Sequence, residues 1–293
     1  MIPDTIPPPD AIAYLNGEYV ALRDARVSVL DRGFIFGDGI YEVIPVYNRE
    51  PLRLAGHLER LRACLGSVRI TNPHDDAQWE FLFREVIKRS PHEDQALYLQ
   101  VTRGIAKRDH AFPAGVTPTV FIMSNKLSVP TAQAVADGVS ALTLPDNRWL
   151  RCDIKSTSLL PNILLRQAAV DAGCAEAVML RDGFLTEGAA SNIFVVKNGT
   201  VLSPPKSHLI LPGITYDVVL DLARKGGIPV EVRAVSEAEL RGADEVWLSS
   251  STREVLAITT LDGKPVGNGK PGDRFKQLHA LFQESKRPKL PHR

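Results

Sequence analysis

Arg151-Cys-Asp-Ile-Lys-Ser-Thr157 decides how the rest of the chain is read, because two further motifs follow its lysine in order, Thr186-Glu-Gly188 and Gly213-Ile-Thr215. An ordinary lysine is protonated and a poor nucleophile, so it attacks a carbonyl only where its surroundings favour the neutral amine. Ile154, Leu159 and Leu160 limit solvation near Lys155, whereas Asp153 opposes this if it faces the amine. Taken singly, the three motifs have plain readings: a surface lysine at a strand end, a turn, and a helix N-cap at Thr215.

Around this segment the pattern alternates short β-like runs, Ala177 to Leu180, Asn192 to Val196, Val230 to Val235 and Glu245 to Leu248, with helical stretches near Leu160 to Ala172 and Thr215 to Lys225. Upstream, Asn16-Gly17 predicts a hairpin over Ile12 to Val20, and Glu42 to Tyr47 reads as strand. A turn at Asn48-Arg-Glu50 leads into a helix whose apolar stripe is Leu58, Leu61 and Leu65, with Arg60 beside the stripe. Trp79, Leu82, Phe83, Val86 and Ile87 mark a second helix ending before Pro91, and Leu97 to Thr102 and Thr119 to Met123 read as strands. The first half is therefore α+β. Aperiodic sequence with Pro130, between Asn125 and Ala132, is the candidate linker between domains.

With 293 residues and 44% apolar content, the chain can bury a core of two ordinary domains. Its 35 basic and 34 acidic residues nearly balance, which gives no broad electrostatic reason for a nucleic-acid or anionic-membrane partner. Three cysteines, Cys64, Cys152 and Cys174, without Cys-x-x-Cys spacing indicate neither a disulfide framework nor a zinc site, so no metal is expected and a cytoplasmic location fits. The start has acid and proline where a signal peptide would be basic and apolar. The proline-rich start and the basic end from Lys286 are read as solvated tails.

Combined, the three motifs supply an amine for a Schiff base, a carboxylate at Glu187 to keep a pyridine nitrogen protonated, and the Ile214 and Thr215 amides for a phosphate. That set of groups points to pyridoxal 5'-phosphate, with Lys155 as anchor and proton carrier in a transamination. Arg60 and the hydroxyl run Ser249 to Thr252, including Ser250 and Ser251, are candidates to complete the phosphate cradle, although a helical arginine and a serine run are ordinarily solvent-facing or capping features. Arg108 and His110, two apart on the loop Gly104 to His110, can point the same way and suit a substrate carboxylate. Tyr41 offers a hydroxyl to the substrate or is a core aromatic.

At these residues the chain resembles the fold-type IV, or class IV, pyridoxal-phosphate aminotransferases, and among them the D-amino-acid aminotransferases. The resemblance runs nearly end to end through Asp31-Arg-Gly-Phe-Ile-Phe-Gly-Asp-Gly-Ile-Tyr-Glu42, Arg148 to Lys155, Thr186-Glu-Gly188, Gly213-Ile-Thr215 and the serines near Ser250. It implies Lys155 as the catalytic lysine, Glu187 as the partner of the pyridine nitrogen, and Arg60, Ile214, Thr215, Ser250 and Ser251 as phosphate ligands. Tyr41, Arg108 and His110 would take the substrate α-carboxylate, the last two from the neighbouring subunit of a homodimer. The implied fold is a smaller α+β domain over residues 1–126, a linker over 127–134 and a larger pseudo-barrel domain over 135–293, with the cofactor in the cleft.

The implied reaction moves an amino group from a D-amino acid such as D-alanine to 2-oxoglutarate, giving pyruvate and D-glutamate. A branched-chain L-aminotransferase, an (R)-amine transaminase or a non-catalytic pyridoxal-phosphate-binding protein would share the cofactor residues, and the Arg-x-His pair separates the D-amino-acid reading from these. Two departures from the family pattern, Ala189-Ala190 where serines are familiar and Ser251 in place of threonine, bear on hydroxyl contacts and side-chain preference.

Overall fold

The computed structural model describes residues 10–286, and the stretches expected to be solvated tails fall almost wholly outside them. Contacts group the chain into two compact units, one running to Ser128 and including Ile154–Ser158, the other Val129–Asp153 together with the chain from Leu159 onward.

The first unit is built on an antiparallel six-stranded sheet in the order Glu18–Ala21, Ile12–Leu15, Thr119–Lys126, Gln95–Thr102, Gly39–Tyr47 and Glu50–Pro51. Asn16 and Gly17 both take positive φ, 50° and 105°, so the first hairpin closes on the two-residue turn that these residue types favour. Asn48 and Arg49 repeat that geometry before Glu50–Pro51. Two helices, Leu54–Ser67 and Asp76–Arg89, cover one face. Asp75 and Gln78 form a reciprocal capping box that satisfies donors at the start of the second helix. Its Trp79 and Phe83 are fully buried and pack with Leu61, Leu65, Leu97, Leu99 and Ile122 into one core that also takes in Ile154.

In the second unit a nine-stranded mixed sheet runs Val230–Val232, Thr200–Ser203, Asn192–Lys197, Glu245–Ser250, Glu254–Leu261, Val139–Pro145, Glu176–Arg181 and Phe184–Gly188, with Lys264–Pro265 paired to Glu254–Leu261. The sheet curls, so that Phe184–Gly188 at one end also lies against Asn192–Lys197. The Gly188 N–H donates to the Ser191 carbonyl at 2.7 Å across that turn. Helices Ile214–Lys225 and Asp273–Ser285 pack on the sheet through Val219, Ala223, Phe275, Leu278 and Phe282, all buried. Among the described residues no helix is long and apolar enough to cross a membrane, and no group of three or more His, Cys, Asp or Glu is placed to hold a metal ion.

Candidate active site

In the first unit, main-chain bonds tie the lysine segment to the strand Gly39–Tyr47. The Tyr41 N–H donates to the Lys155 carbonyl and the Thr157 N–H to the Gly39 carbonyl, each at 3.0 Å. Ile40 and Ser156 form an antiparallel bridge between them. The Lys155 N–H reaches Cys64 Sγ at 3.4 Å. Burial pushes the Cys64 thiol up, so that neighbour stays uncharged. Lys155 Nζ lies 4.2 Å from the Tyr41 ring centroid, and Tyr41 stacks on Tyr98 with centroids 5.9 Å apart. Lys155 and Tyr41 therefore meet side by side.

Arg60 departs from the position expected beside an apolar stripe. It is 7% exposed, on the same face as His57, Leu61 and Cys64. The reason is Glu42 on the neighbouring strand, which takes Arg60 Nε and Nη2 at 2.7 Å each and His57 Nδ1 at 2.8 Å. A carboxylate accepts there, which fixes the proton on His57 Nδ1. Burial raises the Glu42 carboxyl, but the charge and hydrogen bonds of Arg60 together with His57 outweigh it and hold it at about 2. Burial, against the pull of Glu42, keeps His57 below its ordinary value.

Removing one partner of such a pair leaves the other charge buried. Glu42→Gln is therefore expected to cost about 3–5 kcal/mol at neutral pH. Because the folded pKa lies below the ordinary 4.5, this contribution is present above 4.5 and is lost as pH falls toward 2. Denaturant midpoints of wild type and variant should differ at pH 7 and converge at acid pH. A gap that stays constant with pH would refute the account.

Arg108 and His110 sit together on the exposed loop after Gly104, both against Phe36. The Arg108 guanidinium carbon is 5.4 Å from the Phe36 ring centroid, and the His110 ring is 5.5 Å from it. Among the described residues no carboxylate pairs with Arg108.

In the second unit, Glu187 lies near the end of the strand Phe184–Gly188 with 4% of its surface exposed. Arg148 Nη1 donates to its Oε1 at 2.5 Å, while Oε2 accepts from the Leu211 N–H at 3.0 Å and Asn192 Nδ2 at 3.1 Å. Burial raises the Glu187 carboxyl to about 7, against the pull of Arg148 and of the Leu211 N–H. Burial would lower Arg148, yet Asp146 and Glu187 outweigh it and keep that guanidinium above its ordinary value. Asp146 takes Arg148 Nε and Nη2 at 2.9 Å each, and the Thr186 hydroxyl also at 2.9 Å.

The helix Ile214–Lys225 starts at Gly213 without a side-chain cap, so no side chain of Gly213 occupies the amides of its first turn. A Cβ at Gly213 would lie 2.1 Å from Asn192 Oδ1, so any larger residue there must displace the Asn192 amide. Asn192 is paired in register with Ser249, whose buried hydroxyl oxygen has no hydrogen-bond partner among the described residues. The Ser250 hydroxyl accepts from the Arg253 N–H at 3.1 Å, and half-buried Ser251 follows in the same turn. An uncapped helix start, an orphaned buried hydroxyl and a buried carboxyl fit an anionic group with a basic ring nitrogen, as pyridoxal phosphate has.

Four polar residues around these groups escape a sequence reading. Glu42 and Asn192 leave a faint signal, a buried polar residue within or at the start of a mostly apolar strand, which demands a partner. His57 and Arg148 leave none, since their partners are settled by packing.

Residues 39–261 match the family model of amino-transferase class IV. The D-alanine aminotransferase of Bacillus licheniformis is 40% identical over 270 residues, 92% of this chain and 95% of that protein. The branched-chain amino acid aminotransferase of Escherichia coli superposes with a TM-score of 0.88 at 27% identity, covering 94% of each chain. The T.th. branched-chain enzyme with pyridoxamine 5'-phosphate does so with a TM-score of 0.88 at 25% identity, covering 95% of this chain and 96% of that one. The two-domain α+β architecture is that of the fold-type IV enzymes, and the extent of the match makes this chain a member of the class IV aminotransferase family.

Proposed function

We propose that the protein is a cytoplasmic, homodimeric D-amino-acid aminotransferase, moving an amino group from a donor of the D-alanine type to 2-oxoglutarate and releasing pyruvate and D-glutamate. The observation that carries this is the Arg108 and His110 pair, aligned on Phe36 with no internal carboxylate to neutralise Arg108 among the described residues. A guanidinium fork beside an imidazole suits a donor's α-carboxylate. The 40% identity to a D-alanine aminotransferase supports the same choice.

Pyridoxal phosphate, when bound, supplies the electron sink that stabilises negative charge at the donor's α-carbon. Lys155 would anchor the aldehyde, and its Nζ would be the group that takes the α-carbon proton. Glu187 would supply the carboxylate for the pyridine nitrogen. Arg60, the Ile214 and Thr215 amides, and the hydroxyls of Ser250 and Ser251 hold the phosphate. Tyr41 bears on the substrate beside Lys155. In the homodimer, Arg108 and His110 serve the neighbouring protomer.

The test is a stereochemically resolved donor screen on the purified holoenzyme with 2-oxoglutarate as acceptor. D-Alanine is expected to be a good donor, with D-glutamate as product. Strong turnover of L-leucine and none of D-alanine would replace this reading by a branched-chain one.

A further inference from the structure

Apart from Phe36, the segment Asp31-Arg-Gly-Phe-Ile-Phe-Gly-Asp38 has no part in the roles assigned so far, yet Asp31 and Arg32 within it are buried. Arg32 is 3% exposed. Its Nε donates to Asp38 Oδ2 at 2.8 Å, its Nη1 to the Asp109 carbonyl at 2.5 Å and its Nη2 to the His110 carbonyl at 3.5 Å. Asp38 is shared with a second guanidinium, since Arg103 donates from Nε to Oδ2 at 2.7 Å and from Nη2 to Oδ1 at 3.0 Å. Arg103 is in turn fixed by the Val68 and Arg69 carbonyls, at 2.7 and 3.0 Å, and its guanidinium carbon stands 3.7 Å from the Phe112 ring centroid.

The Arg32 contacts to Asp109 and His110 and the Arg103 contact to Phe112 fall on the loop that carries Arg108 and His110. Its entry is tied by the Arg32 N–H to the Gly104 carbonyl at 2.9 Å, and its exit by the Thr119 hydroxyl to Asp31 Oδ2 at 2.7 Å. At Gly104, with φ +101°, a Cβ would lie 2.0 Å from the Thr117 carbonyl oxygen, so the two ends of the loop touch. Phe36 touches both Arg32 and the loop, with the Arg32 guanidinium carbon 4.9 Å and the Arg108 guanidinium carbon 5.4 Å from its ring centroid. A loop of this length without strand or helix would otherwise be ordered only when ligand binds, at an entropic cost charged to binding.

We infer that Arg32, Asp38 and Phe36 form a positioning device that fixes the Arg108 and His110 side chains in advance and so sets the strength of donor-carboxylate recognition. This rests on the proposal that Arg108 and His110 bind that carboxylate. Arg32 and Asp38 are positioning residues, acting through the loop and not on the reacting atoms.

The experiment compares holoenzyme of wild type, Arg32→Gln, Arg32→Lys and Arg108→Ala, using steady-state turnover of D-alanine and competitive inhibition by propionate, an unreactive carboxylate. Arg32→Gln is expected to raise the KM for D-alanine and the propionate inhibition constant together, by about 10- to 100-fold. Its kcat should change by less than about threefold, and the absorbance of the bound cofactor should not change. Arg32→Lys should recover part of the loss, because one ammonium reaches one carbonyl.

If Arg108→Ala raises both constants while Arg32→Gln leaves them alone, the positioning role is overturned and the carboxylate assignment survives. If Arg108→Ala leaves both unchanged, the carboxylate assignment falls and takes the inference with it. Equal loss of kcat, cofactor absorbance and carboxylate affinity in Arg32→Gln means a general structural role and also overturns the inference. Should Arg32→Gln fail to fold, Phe36→Leu is expected to raise the same two constants, and no rise there refutes the proposal.

Discussion

Lys155→Ala is expected to lower turnover by at least about 10⁴-fold, the upper range for loss of a general acid or base, since under the proposed role the covalent anchor is lost as well. The visible absorbance of the lysine-bound cofactor should vanish with it. The protein should nevertheless fold. What holds the segment in place is two main-chain bonds, Lys155 to Tyr41 and Thr157 to Gly39, and the Thr157 hydroxyl to the Gly37 carbonyl at 2.8 Å. None of these uses the lysine side chain. The lost contact between Nζ and the Tyr41 ring is of a kind that contributes about 0.5–1 kcal/mol at exposed sites. The melting temperature of the cofactor-free protein should therefore shift by a few degrees at most. A variant that keeps turnover within tenfold of wild type, or keeps the absorbance, would remove Lys155 from the reaction.

Much of the scaffold is legible because it is local. Asn16-Gly17 closes a hairpin by turn chemistry, and Trp79, Phe83 and Val86 show helical spacing that tertiary packing then uses. The strands Val139–Pro145 and Glu254–Leu261 leave no such mark, since they pair in parallel across more than a hundred residues and their register is set by partners, not by neighbours. The helix Asp273–Ser285 is equally silent, its Phe275, Leu278 and Phe282 being scattered among polar residues.

The same division runs through the site. Lys155, Glu187 and the Gly213 turn carry their chemistry in short motifs. Arg60 is legible as a residue but not as a buried one, because its burial depends on Glu42 from another element. Arg148 stands inside the lysine segment with no role visible in the sequence. Its role appears only when the curled sheet brings Glu187, 39 positions later, onto its guanidinium.

Glu187→Gln should flatten the pH dependence of stability and at the same time lower turnover. In cofactor-free protein the Glu187 pKa is raised from 4.5 to about 7 by burial. Its contribution to stability is then complete below 4.5 and is lost as pH rises through 7, because the folded state must surrender a proton that the unfolded state has already released. The difference between the two values corresponds to about 3 kcal/mol across that window. Glutamine cannot ionise, so the variant should show a flatter stability profile between pH 4.5 and 7. Its amide also meets three donors, Arg148, Asn192 and the Leu211 N–H, and that mismatch shifts the whole curve without tilting it. The slope is therefore the readout.

With cofactor bound, the demand reverses on the proposed role of Glu187: a carboxylate facing the ring nitrogen would hold it protonated, and glutamine supplies no charge for that purpose. Loss of such preorganised electrostatic stabilisation costs about 10²–10³ in kcat. Arg148, still held by Asp146 through two nitrogens, keeps its position in the variant and is not a source of the loss. Urea midpoints of the cofactor-free proteins from pH 4.5 to 7.5, set beside kcat of the loaded ones, separate the two effects. Equal slopes would mean that Glu187 ionises normally, and kcat within tenfold of wild type would mean that the ring nitrogen does not depend on it. A flatter slope with a hundredfold lower kcat identifies Glu187 as a group whose burial weakens the empty protein and whose charge serves the loaded one.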